Sequence, residues 1–209
     1  LIMLPFAIFM GILAGYARGW IDDVVQYIYT TLNSIPGVLL IAAAILMLQV
    51  YVANHPEFFE TTLERSDIRL LFLCVILGIT SWTGLCRLLR GESLKLRESE
   101  YIQASVSLGV SHARIMTRHI LPNVMGPVLV IATIGLAIAV LTEATLSFLG
   151  VGVPPTRPSL GTLIRIGQDF LFAGEWWIVI FPGIALAVLV LAVNLLGDWM
   201  RDALNPKLR

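Results

Sequence analysis

The chain has 209 residues, a formal net charge of zero, 57% hydrophobic and only 13% charged residues, and a mean hydropathy of +0.86. Soluble domains carry about 25% charged residues to wet their surface, so this composition excludes a water-soluble globule. What it leaves is a chain that places apolar segments of about 20 residues in lipid.

In chain order, the first apolar run covers residues 1–16 and is slightly short for a span. It starts at Leu1, with no charged n-region or cleavage site ahead of it, and a further helix upstream of Leu1 is expected. Gly11, Gly15 and Gly19 recur at every fourth position, a spacing that lets a neighbouring helix approach closely. The runs 35–53, 68–86, 123–142 and 176–196 are each long enough, or nearly so, to cross a bilayer. Their Val and Ile content does not make them strands, because they exceed strand length and backbone groups in lipid must be satisfied internally. Pro182-Gly183 predicts a bend in the last of them. Cys74 and Cys86 lie too far apart on one span to bond and are read as packing residues. The fold class is therefore an all-α polytopic membrane protein with five visible spans in a single transmembrane domain.

Charge sets the orientation. Arg18 follows the first run, residues 87–122 hold Arg87, Arg90, Lys95, Arg97, Arg114 and Arg118, and the tail adds Arg201, Lys207 and Arg209. Residues 54–67 and 150–175 carry mostly acids: Glu57, Glu60, Glu64, Asp67, Asp169 and Glu175. By the positive-inside bias, 17–34, 87–122 and the tail are cytoplasmic, and 54–67 and 150–175 are external.

Sites with chemistry of their own are scarce. The phosphate-cradling pattern GxxxxGK[ST] does not occur, nor do HExxH, GxSxG or a Cys/His metal spacing. His112 and His119 share a loop without forming a metal-ligand pattern. The basic loop is not a nucleic-acid surface, since its cations alternate with Glu92, Glu98 and Glu100 beside the membrane. Glu143 is the candidate for an ionisable group within a span; about twenty helical residues beyond Asn123 put it at the outer interface, either solvated or hydrogen-bonded, or at an outer gate. A self-contained secondary transporter or channel, the alternative reading, would need ionisable or unwound sites at the membrane midplane. An intramembrane enzyme would need a convergent nucleophile or metal set, and neither is evident.

Residues 100–123, EYIQASVSLGVSHARIMTRHILPN, are polar yet carry helix punctuation. Residues 98–108 form helix readily, Gly109 fits the left-handed position that stops it, and Ser111 is placed to cap a second helix towards Leu121. Pro122 and Asn123 lead into the next span. Tyr101, Ala104, Ser105 and Leu108 fall on one helical face. A helix, a glycine corner and a returning helix make a protrusion suited to another protein's groove.

This run resembles the cytoplasmic EAA loop of ABC importer permeases, whose pattern is EAA, three residues, Gly, nine residues, then I-x-L-P. Here Gln103-Ala104-Ser105 stand for EAA, Gly109 for Gly and His119-Ile120-Leu121-Pro122 for I-x-L-P, with Gln103, Ser105 and His119 departing from the pattern and Glu100 one turn before Gln103. RHILPN at 118–123, LTEATLSFLGVGVPP at 141–155, PSLG at 158–161, LLGDWMRDALNPKLR at 195–209 and GILAGYARGWIDD at 11–23 are similar to the dipeptide/oligopeptide/nickel subgroup, and most to its C-type subunit.

The resemblance implies a six-helix permease fold lacking its first helix here, multi-pass in a bacterial or archaeal inner membrane. It implies a non-catalytic subunit paired with a second permease subunit, two cytoplasmic ATPases that bind ATP and Mg, and an extracytoplasmic binding protein delivering peptides or related solutes. The residues it assigns to ATPase coupling are Glu100, Tyr101, Gln103, Ala104, Ser105, Leu108, Gly109, His119, Leu121 and Pro122.

Overall fold

The computed structural model describes residues 2–55, 61–154 and 157–204, without the side chains of Thr62, Leu63 and Arg201. The expectations for Glu57, Glu60, Pro155 and the 205–209 tail lie outside the described residues. Every element among the described residues is helical. In order they are α1 (Met3–Ala17), α2 (Trp20–Asn33), α3 (Gly37–Asn54), α4 (Thr62–Thr80), α5 (Trp82–Arg97), α6 (Glu100–Ser107), α7 (His112–Ile115), α8 (Leu121–Phe148), α9 (Leu160–Phe170) and α10 (Trp177–Leu204). A π turn, Met116–Ile120, joins α7 to α8, and a 3-10 turn, Leu171–Ala173, follows α9.

By length and composition, Gly37–Asn54, Glu64–Arg97, His112–Phe148 and Trp177–Met200 suffice to cross a bilayer, and Met3–Ala17 is a shorter apolar helix. Helix α10 leaves every residue of its apolar window unburied by its own chain, with Phe181, Val188, Leu191 and Trp199 exposed. Water would penalise such a surface; lipid or a neighbouring apolar helix does not. The helix runs through Pro182 without interruption.

The chain divides into two compact units. The first contains residues up to Ile35, Gly78–Thr133 and the end of α10. Its core is the crossing of α1 with α5, where Ala7, Ala14, Leu85, Cys86 and Leu89 are fully or almost fully buried. Gly11 and Gly15 make that crossing: a Cβ on Gly15 would lie 2.5 Å from the Arg90 carbonyl oxygen and 2.6 Å from Ser93 Cβ. Gly19, expected to share this packing role, does not. A Cβ built on it would meet nothing within 4 Å, and its φ of +62° places it in the turn between α1 and α2. Cys86 is buried as expected, whereas Cys74 is exposed.

Helix α2 covers much of the segment 17–34 that the charge pattern marks simply as a cytoplasmic loop. Asp22, Val25 and Tyr29 form its buried stripe, three to four residues apart, as an amphipathic helix requires. Arg90 of α5 grips Asp22 bidentately, Nε donating to Oδ1 at 2.5 Å and Nη2 to Oδ2 at 2.7 Å. The Arg87 guanidinium lies 5.1 Å from the centre of the Tyr29 ring. Two cations that read as topology signals thus also fasten α2. Segment 87–97, expected as loop, is helical because Leu85, Cys86 and Leu89 continue the face that packs on α1.

The second unit contains Pro36–Leu77 and Ile134–Leu196. Ile41, Ile45, Leu73 and Leu146 form its core, joined by Phe72, Ile76, Val151 and Val153. Gly161 of α9 rests directly on the Ala144 backbone of α8, an approach no side chain would permit.

Candidate functional site

The corner between α6 and α7 is built from the termination of α6. Gly109 takes φ +76°, its N–H donates to the Val106 carbonyl at 2.9 Å, and the Val110 N–H donates to the Ser105 carbonyl at 3.1 Å. This pair of bonds is the Schellman arrangement, which satisfies the last carbonyls of a helix and needs a left-handed residue to close. The following apolar residue, Val110, packs against the first unit's core as the motif favours. Ser111 occupies the cap position of α7 in an extended conformation, but its hydroxyl makes no capping bond. The chain then continues through α7, the π turn and α8 with no break at Pro122, whose missing N–H falls in the first turn of α8.

Helix α6 is anchored by one residue. Ile102 is completely buried among α1, α5 and the π turn, while Tyr101, Ala104 and Leu108 point outward, Leu108 with 83% of its surface exposed. Glu100 and Gln103 are exposed as well; the Gln103 side-chain amide donates to the Glu98 carbonyl at 3.1 Å. Ser105 is half-buried and turns its hydroxyl back to the Tyr101 carbonyl at 2.8 Å. His119 and Leu121 are half-buried at the root of α8, and Asn123 Nδ2 donates to the His119 carbonyl at 2.6 Å and to the Tyr101 hydroxyl at 3.4 Å. The structure therefore gathers Tyr101, Ala104 and Leu108 on a free face and leaves His119, Leu121 and Pro122 at the hinge end. Tyr101 and Leu108 thus stand outward on a short helix closed by the Gly109 corner, a knob on the surface of the first unit.

Sequence reasoning missed the supports. Ile102 had a partial signal: it and Val106 are the aliphatic residues of α6 off the expected docking face, and of the two Ile102 is buried. Tyr16 and His112 had none: their 2.7 Å hydrogen bond joins residues 96 positions apart.

At the far end of α8, Glu143 is half-buried and its Oε1 accepts two hydrogen bonds, from Ser147 Oγ at 2.6 Å and Ser159 Oγ at 2.8 Å. Ser147 Oγ in turn accepts from the Val153 N–H at 2.9 Å, and Ser159 Oγ caps α9 by accepting from the Gly161 N–H at 3.2 Å. Gly150 closes α8 with φ +83° and the same Schellman pair, Gly150 N–H to the Ser147 carbonyl and Val151 N–H to the Leu146 carbonyl. Glu143 thus joins the end of α8 to the start of α9 through two serine hydroxyls.

Among the described residues no group of three or more His, Cys, Asp or Glu could hold a metal ion. Helices long and apolar enough to cross a bilayer, with a polar corner between two of them, define an all-helical multi-pass membrane protein. The comparison with known families agrees over almost the whole chain: residues 7–209 match the model described as binding-protein-dependent transport system inner membrane component, and the chain belongs to that family.

Its relatives carry transport names. A protein of Brucella suis biovar 1 named for a peptide transport system permease is 47% identical over 137 residues, covering 65% of this chain and 46% of the relative. The dipeptide transport system permease protein of Alkalihalophilus pseudofirmus is 32% identical over 206 residues, 99% of this chain and 62% of the relative. The oligopeptide transport system permease protein of Mycobacterium tuberculosis is 34% identical over 200 residues, 96% of this chain and 63% of the relative. The chain thus spans less than two thirds of the length of these relatives.

Proposed function

We infer that this chain is the translocating subunit of an ATP-driven importer, forming half of a pathway for peptides or related small solutes. The observation that carries the reading is the α6–α7 corner: a rigid knob with Tyr101, Ala104 and Leu108 outermost, in a member of the binding-protein-dependent transport family. With no phosphate-binding loop in its sequence, the chain takes its driving force from partners: two cytoplasmic ATPases that bind ATP and Mg. A second permease subunit completes the pathway, and an extracytoplasmic binding protein supplies the cargo. The subunit itself is non-catalytic. The relatives' names support peptides as the cargo class.

Mechanistically, the knob sits in a cleft of the ATPase. ATP-driven closure of the ATPase pair moves the knob, and the knob moves α5 and α8, to which it is covalently continuous. ATP thereby biases a two-state bundle between inward-open and outward-open arrangements, by as much as its affinity differs between them. Gly109, Glu100, Gln103 and Ser105 shape the knob, and His119, Leu121 and Pro122 root it on α8.

The test is purification of the full-length protein from its source membrane, followed by reconstitution. Co-purification of an ATPase, with peptide uptake that requires ATP and the binding protein, is the expected outcome. Uptake by the chain in ATPase-free liposomes, driven by an ion gradient, would overturn the reading in favour of a secondary transporter.

A further inference from the structure

The knob is attached to the rest of its unit by surprisingly little. Behind α6 lies an open groove of about 880 Å³, lined by Leu13, Tyr16, Arg97, Ile102, Val106 and Met116 among others. With that space at its back, α6 has room to rock about Ile102. One residue of α1 stands across the groove's base. Tyr16 is itself buried, its hydroxyl lies 2.7 Å from Nδ1 of His112, the first residue of α7, and its carbonyl accepts from Arg97 Nη1, the last residue of α5, at 2.6 Å. The Arg97 guanidinium also sits 5.7 Å from the Tyr16 ring centre.

The chain leaves α5 at Arg97, passes through α6 and Gly109, and returns at His112; Tyr16 bonds both ends of that excursion. The Tyr16 carbonyl is one of the last four of α1, which have no partner inside the helix, so Arg97 both satisfies it and complements the negative end of the helix dipole. Directly after α1, Arg18 adopts φ 58° and ψ −171°, a conformation that side-chain-bearing residues rarely take, with its guanidinium paired to Glu98. Among the described residues, Tyr16–His112 is the hydrogen bond that ties the segment 100–118 to α1.

We propose that Tyr16 is the positioning residue that makes α1 move with the coupling knob, through a bracket closed by Arg97 on its carbonyl and His112 on its hydroxyl. The proposal rests on the reading of α6 as the ATPase-coupling helix. Without the bracket, displacement of α6 is taken up by rocking over the groove and reaches α1 only indirectly, through its packing on α5; with it, α1 is pulled directly. Tyr16 and His112 touch neither cargo nor nucleotide in this scheme, and act through α6.

The test uses Tyr16→Phe, which deletes only the hydroxyl and keeps the ring and the Arg97 contacts, alongside His112→Ala, the double variant and His112→Asn, whose amide lies near the position of Nδ1. Two readouts are taken on the assembled transporter. Hydrogen exchange of amides 100–118 is expected to quicken about five-fold in Tyr16→Phe and His112→Ala, in keeping with the loss of one net hydrogen bond. The double variant should be no worse than either single one, since both remove the same bond, and His112→Asn should recover most of the protection. Peptide taken up per ATP hydrolysed is expected to fall in the same variants and recover in His112→Asn.

Unchanged exchange in Tyr16→Phe overturns the bracket, whatever partners the chain has. Quickened exchange with unchanged uptake per ATP overturns its role in transmission. A transporter that takes up peptide with no ATPase attached overturns the reading beneath it, and the exchange result distinguishes that failure from the other two.

Discussion

Replacing Glu143 separates a brace from a gate. Its Oε1 is the common acceptor for Ser147 and Ser159, and those hydroxyls in turn receive the Val153 and Gly161 N–H groups. Glu143→Ala strands both hydroxyl donors. Hydrogen bonds to an ionised group contribute about 1.5–3 kcal/mol each, and partial water access at this half-buried site reduces the pair to roughly 2–4 kcal/mol. At about 1.4 kcal/mol per tenfold, local opening of the α8–α9 turn should rise from roughly 30-fold to several hundred-fold. Glu143→Gln keeps the shape and one acceptor oxygen but makes the bonds neutral, costing about 1 kcal/mol, or roughly five-fold. The assay is hydrogen exchange read at the Val153 and Gly161 amides, with uptake measured on the same preparations. Unaltered exchange in Glu143→Ala would refute the brace. Abolished uptake in Glu143→Gln with normal exchange would show that the charge itself matters, as a gate requires.

Three further outcomes follow from the packing. Gly109→Val forces a β-branched side chain into φ +76°, a strain of about 1–2 kcal/mol, and should abolish uptake and ATPase co-purification while membrane insertion, measured by fractionation, stays normal. Gly15→Leu drives a side chain into the Arg90 carbonyl and Ser93, both on helical backbone that cannot yield, and should destabilise the α1–α5 crossing by about 1–3 kcal/mol in detergent unfolding, whereas Gly84→Ala in α5, where an added Cβ meets nothing within 4 Å, should cost nothing. Single cysteines at exposed Lys95 and Thr61, in a background lacking exposed Cys74, should react with impermeant reagent from opposite sides of the membrane; reaction from one side would refute the orientation read from charge.

The helical class and the corner were legible because both depend on local rules. Apolar runs of span length admit only helix, and Leu108-Gly109-Val110 is a helix stop whose geometry depends on glycine at one position. The same tripeptide, Leu149-Gly150-Val151, ends α8 with the same bonds. The Glu143–Ser147 bond is likewise local, spanning one helical turn. What stayed hidden depends on tertiary approach. Asp22 and Arg90 are 68 positions apart, and nothing around either marks the other as its partner. Helix α2 was obscured because its short apolar stripe sits among polar residues, and a scan for spans passes over it. Gly19 shared a spacing with Gly11 and Gly15 but not their surroundings, since α1 ends at Ala17 and the periodicity has no helix to act on beyond that point.

The π turn at Met116–Ile120 bears on how this protein can vary in length. A π turn holds an extra residue within one turn of otherwise regular helix. Deleting a single residue such as Thr117 is absorbed as the segment relaxes to ordinary α-helix, whereas each further residue removed turns everything beyond it by about 100°. Residues Val124, Val128 and Ala137, buried on α8, would then swing out of their seats together. The interval between the glycine of the corner and the proline that roots the next span is in this sense a dial setting. A substitution such as His119 can be accommodated within it, but a change in its length beyond the one residue that the π turn holds would re-aim the whole of α8.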